Sequence, residues 1–231
     1  MEKNNYNNRT LGEIVTEDFR TAGIFQNAGL DFCCGGKKPL EQACREKNIS
    51  FEEIVRKLED VKTAPQNPGQ NFNEWKPDFL ADYIVNIHHS YVRKNLPELD
   101  FYTKKIADVH GDRHPELIEV ADLFGRISAE LKQHLQAEEE VLFPAIKEAM
   151  KGNSPKVRET ISSEIARMSG EHDFVGGAMD KINEITNGYE VPADGCNTYM
   201  VAFRLLNQFE DDLHIHVHLE NNILFPGALT L

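Results

Sequence analysis

A chain of 231 residues can bury roughly 70% of its unfolded surface, so a stable core is expected, as one large domain or as a small one joined to a medium one. Its 25 Lys plus Arg stand against 38 Asp plus Glu, a formal charge of -13 with no local basic patch, which excludes nucleic acid as an expected partner. Met1-Glu-Lys-Asn-Asn-Tyr-Asn-Asn-Arg9 lacks the apolar stretch of a secretory signal and nowhere do about 18 apolar residues run together, so a soluble, cytoplasmic protein with no membrane partner is expected.

In chain order, Thr10-x-x-Glu13 and Ser50-x-x-Glu53 have the spacing of capping boxes, and each leads into apolar residues at helical spacing, such as Ile54, Leu58 and Val61. Residues 1–62 therefore read as a small helical domain. Within it, Asp31-Phe-Cys-Cys-Gly-Gly-Lys-Lys-Pro39 is a turn by its glycines and proline. The four cysteines, Cys33, Cys34, Cys44 and Cys196, are too few and too irregular for a disulfide framework, and a reducing compartment keeps them as thiols. Cys44 is expected to pack against a helix face and Cys196 to mark the start of the last helix. The Pro, Gly and Asn content of residues 63–76 predicts a linker.

Residues 77–231 read as a second, all-α domain of four long helices, roughly 77–109, 116–151, 155–187 and 196–225, separated by segments rich in turn residues. Period-2 apolar alternation is absent over any useful length. Short connections between long helices predict an up-down-up-down four-helix bundle.

The second and fourth helices carry the same pattern. Leu131-Lys-Gln-His134-Leu-Gln-Ala-Glu138-Glu-Glu-Val-Leu142-Phe-Pro144 and Leu213-His-Ile-His216-Val-His-Leu-Glu220-Asn-Asn-Ile-Leu224-Phe-Pro226 match in His, Glu, Leu, Phe and Pro at identical offsets. At about 100° per residue, His134 and Glu138 share a face with Leu131, Leu135 and Leu142, and His216 and Glu220 share one with Leu213, Val217 and Leu224. An imidazole and a carboxylate at i and i+4 lie about 6 Å apart along the axis, close enough to reach a common metal. A carboxylate buried in an apolar core needs a cation or a proton, and a metal supplies the cation.

The halves also match upstream. The first helix offers His88 and His89, and the third offers His172 on the face of Ile165, Met168, Val175 and Met179. His89 precedes His134 by 45 residues and His172 precedes His216 by 44, although periodicity alone does not choose between His88 and His89. His214 and His218 fall about 100° to 140° from the Leu213 stripe and read as flank or surface residues, with a hydrogen bond supporting a metal ligand as the minor alternative. His110 and His114 read as turn or helix-end contacts. Glu130 and Glu171 are candidates for supporting or proton-relay groups beside the plainer reading as solvated carboxylates. Four imidazoles and two carboxylates oversupply one tetrahedral zinc, whereas two iron ions bridged by the carboxylates would keep open positions for oxygen species or nitric oxide. Manganese fits the same donor set.

These residues resemble the hemerythrin-like di-iron proteins called repair of iron centres, of the YtfE/ScdA/DnrN type. Leu11-Gly-Glu-Ile with Asp31-Phe-Cys-Cys-Gly-Gly36 is similar to the family's ScdA-type N-terminal domain, and the two Leu-Phe-Pro repeats are similar to its bundle. His88-His89-Ser-Tyr-Val-Arg-Lys-Asn-Leu-Pro97 resembles the first-helix signature, whose second histidine is the ligand, and this selects His89. The resemblance implies a non-haem, carboxylate-bridged pair of irons with His89, His134, His172 and His216 as terminal ligands and Glu138 and Glu220 as bridges. Tyr83 stands where relatives often have an extra histidine.

The function so implied is repair or protection of iron-sulfur clusters damaged by nitrosative or oxidative stress, through donation of iron, with damaged iron-sulfur proteins as partners. Reduction of nitric oxide at the two irons and oxygen binding or sensing are the alternatives, and whether the protein is an enzyme stays open, as does a homodimer. Cys33 and Cys34 match the family's adjacent cysteines. Beside Lys37 and Lys38 they are expected to have lowered pKa values and so a thiol role, set against a turn that merely tolerates cysteine.

Overall fold

The computed structural model describes residues 6–63, 71–152 and 154–231. Two compact units are present, one made of residues 1–80 with 214–231 and the other of residues 81–213. The fold is all-α, a hemerythrin-like bundle preceded by a small helical N-terminal region, and among the described residues the only extended pairing is an isolated bridge between Thr10 and Pro39.

The first unit is built from short helices: α1 (Leu11–Glu17), α2 (Ala22–Asn27), α3 (Leu40–Glu46) and α4 (Phe51–Thr63). Helices this short are marginal alone and hold together by capping and burial. Both halves of the expected box form at α1, where Glu13 N donates to Thr10 Oγ1 at 3.2 Å and Thr10 N donates to Glu13 Oε2 at 2.9 Å. At α4 only the serine half forms as expected, because Glu53 N donates to Ser50 Oγ while the Glu53 carboxylate turns to Lys57 at 3.0 Å. Leu11, Phe25, Phe32, Leu40, Cys44 and Leu58 lie in one apolar core, which matches the packed role expected of Cys44.

The expected linker lies partly outside the described residues, at 64–70. Its later part is packed: Phe72 is buried and sets its ring edge against Phe19 at 5.0 Å and Trp75 at 4.8 Å.

The long helices run as expected but are interrupted. Helix α5 (Pro77–Ile84) passes through a π turn at Val85–His89 into α6 (Ser90–His110). Helix α7 (Glu116–Ala137) passes through a π turn at Glu138–Leu142 into α8 (Phe143–Ala149). Helix α9 (Pro155–Ile185) is continuous and starts at an N-cap where Val157 N donates to Ser154 Oγ at 3.3 Å. Helix α10 (Asn197–Leu219) passes through a π turn at Glu220–Leu224 into α11 (Phe225–Ala228). Pro144 and Pro226 give the two repeated π turns a physical reason. A proline inside a helix has no N–H for the carbonyl four residues back and its ring crowds that carbonyl, so the ladder widens. Phe143 N donates to Glu138 O and Phe225 N to Glu220 O, each five residues back.

Within residues 81–213, α6 packs on α7 and α7 on α9. The α10 segment closes this core through Phe209, whose ring meets Phe124 at 5.6 Å and Tyr91 at 6.4 Å. Helix α10 runs on past the division at Leu213. Its end belongs with the first unit because His218 packs on the rings of Phe19 and Phe32, at 6.5 and 5.5 Å, and Asn222 Nδ2 donates to Phe32 O and Cys33 O at 3.3 Å each.

Candidate metal centre

In the unit of residues 81–213, three elements bring donors to one spot. His134 Nε2 and His89 Nε2 each lie 3.3 Å from Glu138 Oε2, and His134 Nε2 lies 3.2 Å from His172 Nε2. His89 and Glu138 are 0% exposed and His134 and His172 are 2% exposed, so bulk water does not screen this cluster. His134, Glu138 and His172 each offer a ligand atom within 4.8 Å of the others.

The far nitrogens of two of these rings are held by acids. His89 Nδ1 meets Glu139 Oε1 at 2.6 Å, and His134 Nδ1 meets Glu171 Oε2 at 2.7 Å. An Nδ1–H committed to a carboxylate leaves the Nε2 lone pair pointing into the cluster, which is the arrangement of a metal-binding imidazole. The acids are themselves kept ionised. Hydrogen bonding to His134 lowers the Glu171 pKa against the opposing effect of burial, with Arg167 adding to it. For Glu139, burial pushes the pKa up, but Arg93 at 2.8 Å and His89 outweigh it and the net direction is down.

In the other unit, His216 Nε2 lies 3.0 Å from Glu220 Oε1, one turn apart on the last rod, and these residues are 1% and 0% exposed. This pair repeats the His134–Glu138 relation, and each glutamate is the first residue of a π turn. The shared π geometry swings the carboxylate relative to an ideal helix, and such turns recur at functional sites.

The donor chemistry fits a metal. Buried carboxylates opposite neutral imidazole nitrogens present negative charge and lone pairs with no ammonium or guanidinium among the donors named, and a hard or borderline cation satisfies both. His88 takes a different direction from its neighbour. It is buried, its Nδ1 meets Asp212 Oδ1 at 3.0 Å, and its ring meets Tyr83 at 5.8 Å. Only His89 of the two is directed at Glu138.

The cysteine turn lies in the first unit and departs from expectation. Cys33 N and Cys33 Sγ both donate to Asp31 Oδ1, at 2.9 and 3.1 Å, and Gly35 N donates to Asp31 Oδ2 at 2.7 Å, so Asp31 organises the turn. The Cys33 pKa is raised, not lowered, through its hydrogen bond with Cys34, its burial and the facing Asp31 carboxylate. Lys38, one of the two cations expected to lower it, is drawn to Glu46 at 2.6 Å. Cys34 is half-buried.

His218 is a second correction. It is fully buried, and burial lowers its pKa to about 4, because the N-terminal aromatics cover the face that looks like solvent when the bundle helix is read alone. His110 and His114 are helix-end contacts as expected, on Cys196 and on Glu116 and Asp194. Sequence reasoning missed Glu139 and Asp212. Glu139 is signalled only by the run Glu138-Glu139-Glu140, and Asp212 by nothing local.

Fold and site define a hemerythrin-like metal-binding protein. Residues 80–228 match the hemerythrin HHE cation binding domain, and residues 7–62 match the ScdA_N domain, described as a domain of unknown function. The chain is 36% identical over 227 residues to a protein of Pectobacterium atrosepticum named iron-sulfur cluster repair protein YtfE, covering 97% of this chain and 98% of that one. It is 37% identical over 220 residues to a probable iron-sulfur cluster repair protein of Haemophilus influenzae, covering 95% and 96%. A Yersinia pseudotuberculosis relative, also named iron-sulfur cluster repair protein YtfE, is 34% identical over 224 residues. The chain belongs to the hemerythrin HHE family, in the branch that joins this bundle to an ScdA_N domain, the repair-of-iron-centres type. No helix of the described residues is long and apolar enough to cross a membrane.

Proposed function

We propose that this chain holds two iron ions and uses them to repair or protect iron-sulfur clusters damaged by nitrosative or oxidative stress, by donating iron to damaged iron-sulfur proteins in the cytoplasm. In this reading His89, His134, His172 and His216 would be the terminal ligands of the two ions and Glu138 and Glu220 would be shared between them. The observation that carries it is the doubled, buried His-Glu pair on π turns, set in a chain whose full-length relatives are named as cluster repair proteins. The residues around the donors have definite tasks. Glu139 and Glu171 orient imidazoles, Arg93 and Arg167 keep those acids ionised, and Phe143, stacked on His89 at 5.8 Å, helps exclude water. Bound iron would supply the redox-active, transferable metal.

The domain assignment that goes with this reading is 1–62 for the ScdA-type part, 63–76 for the linker and 77–231 for the bundle. Cys33 and Cys34 act as thiols in passing iron or a nitrosyl to the client, Cys33 starting from its protonated form. Nitric oxide and oxygen species are the small ligands, and a homodimer is the assembly to look for by light scattering.

Iron-loaded protein is expected to restore activity to an iron-sulfur enzyme inactivated by nitric oxide, and Glu138→Leu with Glu220→Leu is expected to abolish the effect. Undiminished repair by that double variant contradicts the proposal. Cys33→Ser with Cys34→Ser is expected to keep the iron and slow the repair; unchanged repair removes the thiols from the account.

A further inference from the structure

We propose that Cys196, at the opposite end of the α6 rod from His89, is a second reactive-thiol site, at which a thiolate held by His110 exchanges with small, positively charged disulfides. The two ends are separated by about 30 Å, the rise of the helix between His89 and His110.

Cys196 stands immediately before α10, is exposed, and lies with its Sγ 3.2 Å from His110 Nε2. The backbone of Thr198 and Tyr199, in the first turn of α10, adds to the lowering of the thiol pKa, as a helix start favours an anion. His110 is itself 4% exposed, and its Nδ1 is buried with no hydrogen-bond partner among the described residues. A proton on that Nδ1 would be stranded, so the ring keeps its proton on Nε2, where it points at the sulfur. A buried imidazole aimed at an exposed sulfur at the start of a helix makes this a built thiolate site and more than a cysteine on a surface. The consequence is a thiol pKa lowered to about 7, with the His110 hydrogen bond as the first cause.

The groups facing the pair from neighbouring elements are known. Tyr199 sets its ring edge against His110 at 5.5 Å and His114 at 5.9 Å. His114 bridges Glu116 at 3.2 Å and Asp194 at 3.0 Å, and Arg113 meets Asp194 at 3.0 Å. Beyond Tyr199 and His114, a cavity of about 300 Å³ is lined by Glu116, Glu190, Pro192 and Phe203. With Glu116, Glu190 and Asp194 beside the guanidinium of Arg113, these surroundings favour an ammonium-bearing disulfide over one carrying carboxylates.

The reaction is a thiol–disulfide exchange. The Cys196 thiolate attacks one sulfur of the disulfide, the new S–S bond forms as the old one breaks, and the leaving thiolate takes a proton from solvent. Cys196 is thereby oxidised to a mixed disulfide and the released sulfur is reduced to a thiol.

The test treats the full, iron-loaded chain with cystamine or with glutathione disulfide across pH 6 to 9 and follows each cysteine by peptide mass spectrometry. Cys196 is expected to react half-maximally near pH 7, about five-fold faster at that pH than in the urea-unfolded chain. It is also expected to react faster with cystamine than with glutathione disulfide. His110→Leu is expected to move the midpoint up toward that of an ordinary thiol. A folded chain that reacts no faster than the unfolded one overturns the proposal without any variant. A midpoint unmoved in a folded His110→Leu protein removes His110 from it, and equal rates for the two disulfides remove the charge selection.

Discussion

The two ends of the rods in residues 81–213 both carry histidines, yet they do opposite things with them. At one end His89, His134 and His172 are sealed from water, their far nitrogens held by Glu139 and Glu171 where these contacts are made, and the helices widen into π turns at His89 and Glu138. At the other end His110 and His114 sit on regular helix termini beside an exposed thiol, with Glu116 and Asp194 open to solvent. In the proposed reading the same side chain serves as a metal ligand or a thiol activator according to what its second nitrogen meets. A carboxylate on Nδ1 turns Nε2 into a donor of electrons. An empty, buried Nδ1 leaves Nε2 as a donor of a proton.

The largest expected effect concerns the two His-Glu pairs. Glu138→Leu with Glu220→Leu should take iron content from about two per chain to near zero while leaving Cys196 reactivity unchanged, as read by metal analysis and disulfide labelling. The metal-free double variant should melt no lower than metal-free wild type, because removing each buried carboxylate relieves its desolvation. Next, Glu171→Gln and Glu139→Gln should each weaken iron retention roughly 10- to 100-fold in chelator competition, since an amide holds the imidazole without raising its basicity.

Phe209→Ala sharpens the comparison from the middle. Its ring packs on Phe124 and Tyr91, and its loss should lower stability by about 3–5 kcal/mol in denaturant titration. The smallest effect belongs to the open rim, where His114 holds the Asp194 pKa down. Asp194→Asn should move the melting midpoint by about 1 °C or less and leave iron content alone, because exposed ion pairs contribute little.

The two His-Glu pairs were legible in the sequence because their signal is periodic. His134 with Glu138 and His216 with Glu220 fall inside apolar stripes, and the repeat of the pattern argues against coincidence. The π turns were written only in the prolines, and reading them requires knowing what Pro144 and Pro226 do to a helix already in place. His88 and His89 could not be separated by period because both are buried; what separates them is Asp212, more than a hundred residues away. Cys196 and His110 are 86 residues apart, and no local pattern links them. His218 was misread, and so was the Cys33 thiol, for one reason: each is governed by contacts from a segment remote in sequence or by burial that a linear charge count does not see.

The most direct test of the central claim is iron analysis with Mössbauer spectroscopy on anaerobically purified, iron-loaded chain. Two irons per chain behaving as one coupled pair, lost together in the Glu138→Leu, Glu220→Leu variant, is the predicted result. A single zinc per chain, or uncoupled iron that survives loss of both glutamates, would contradict it.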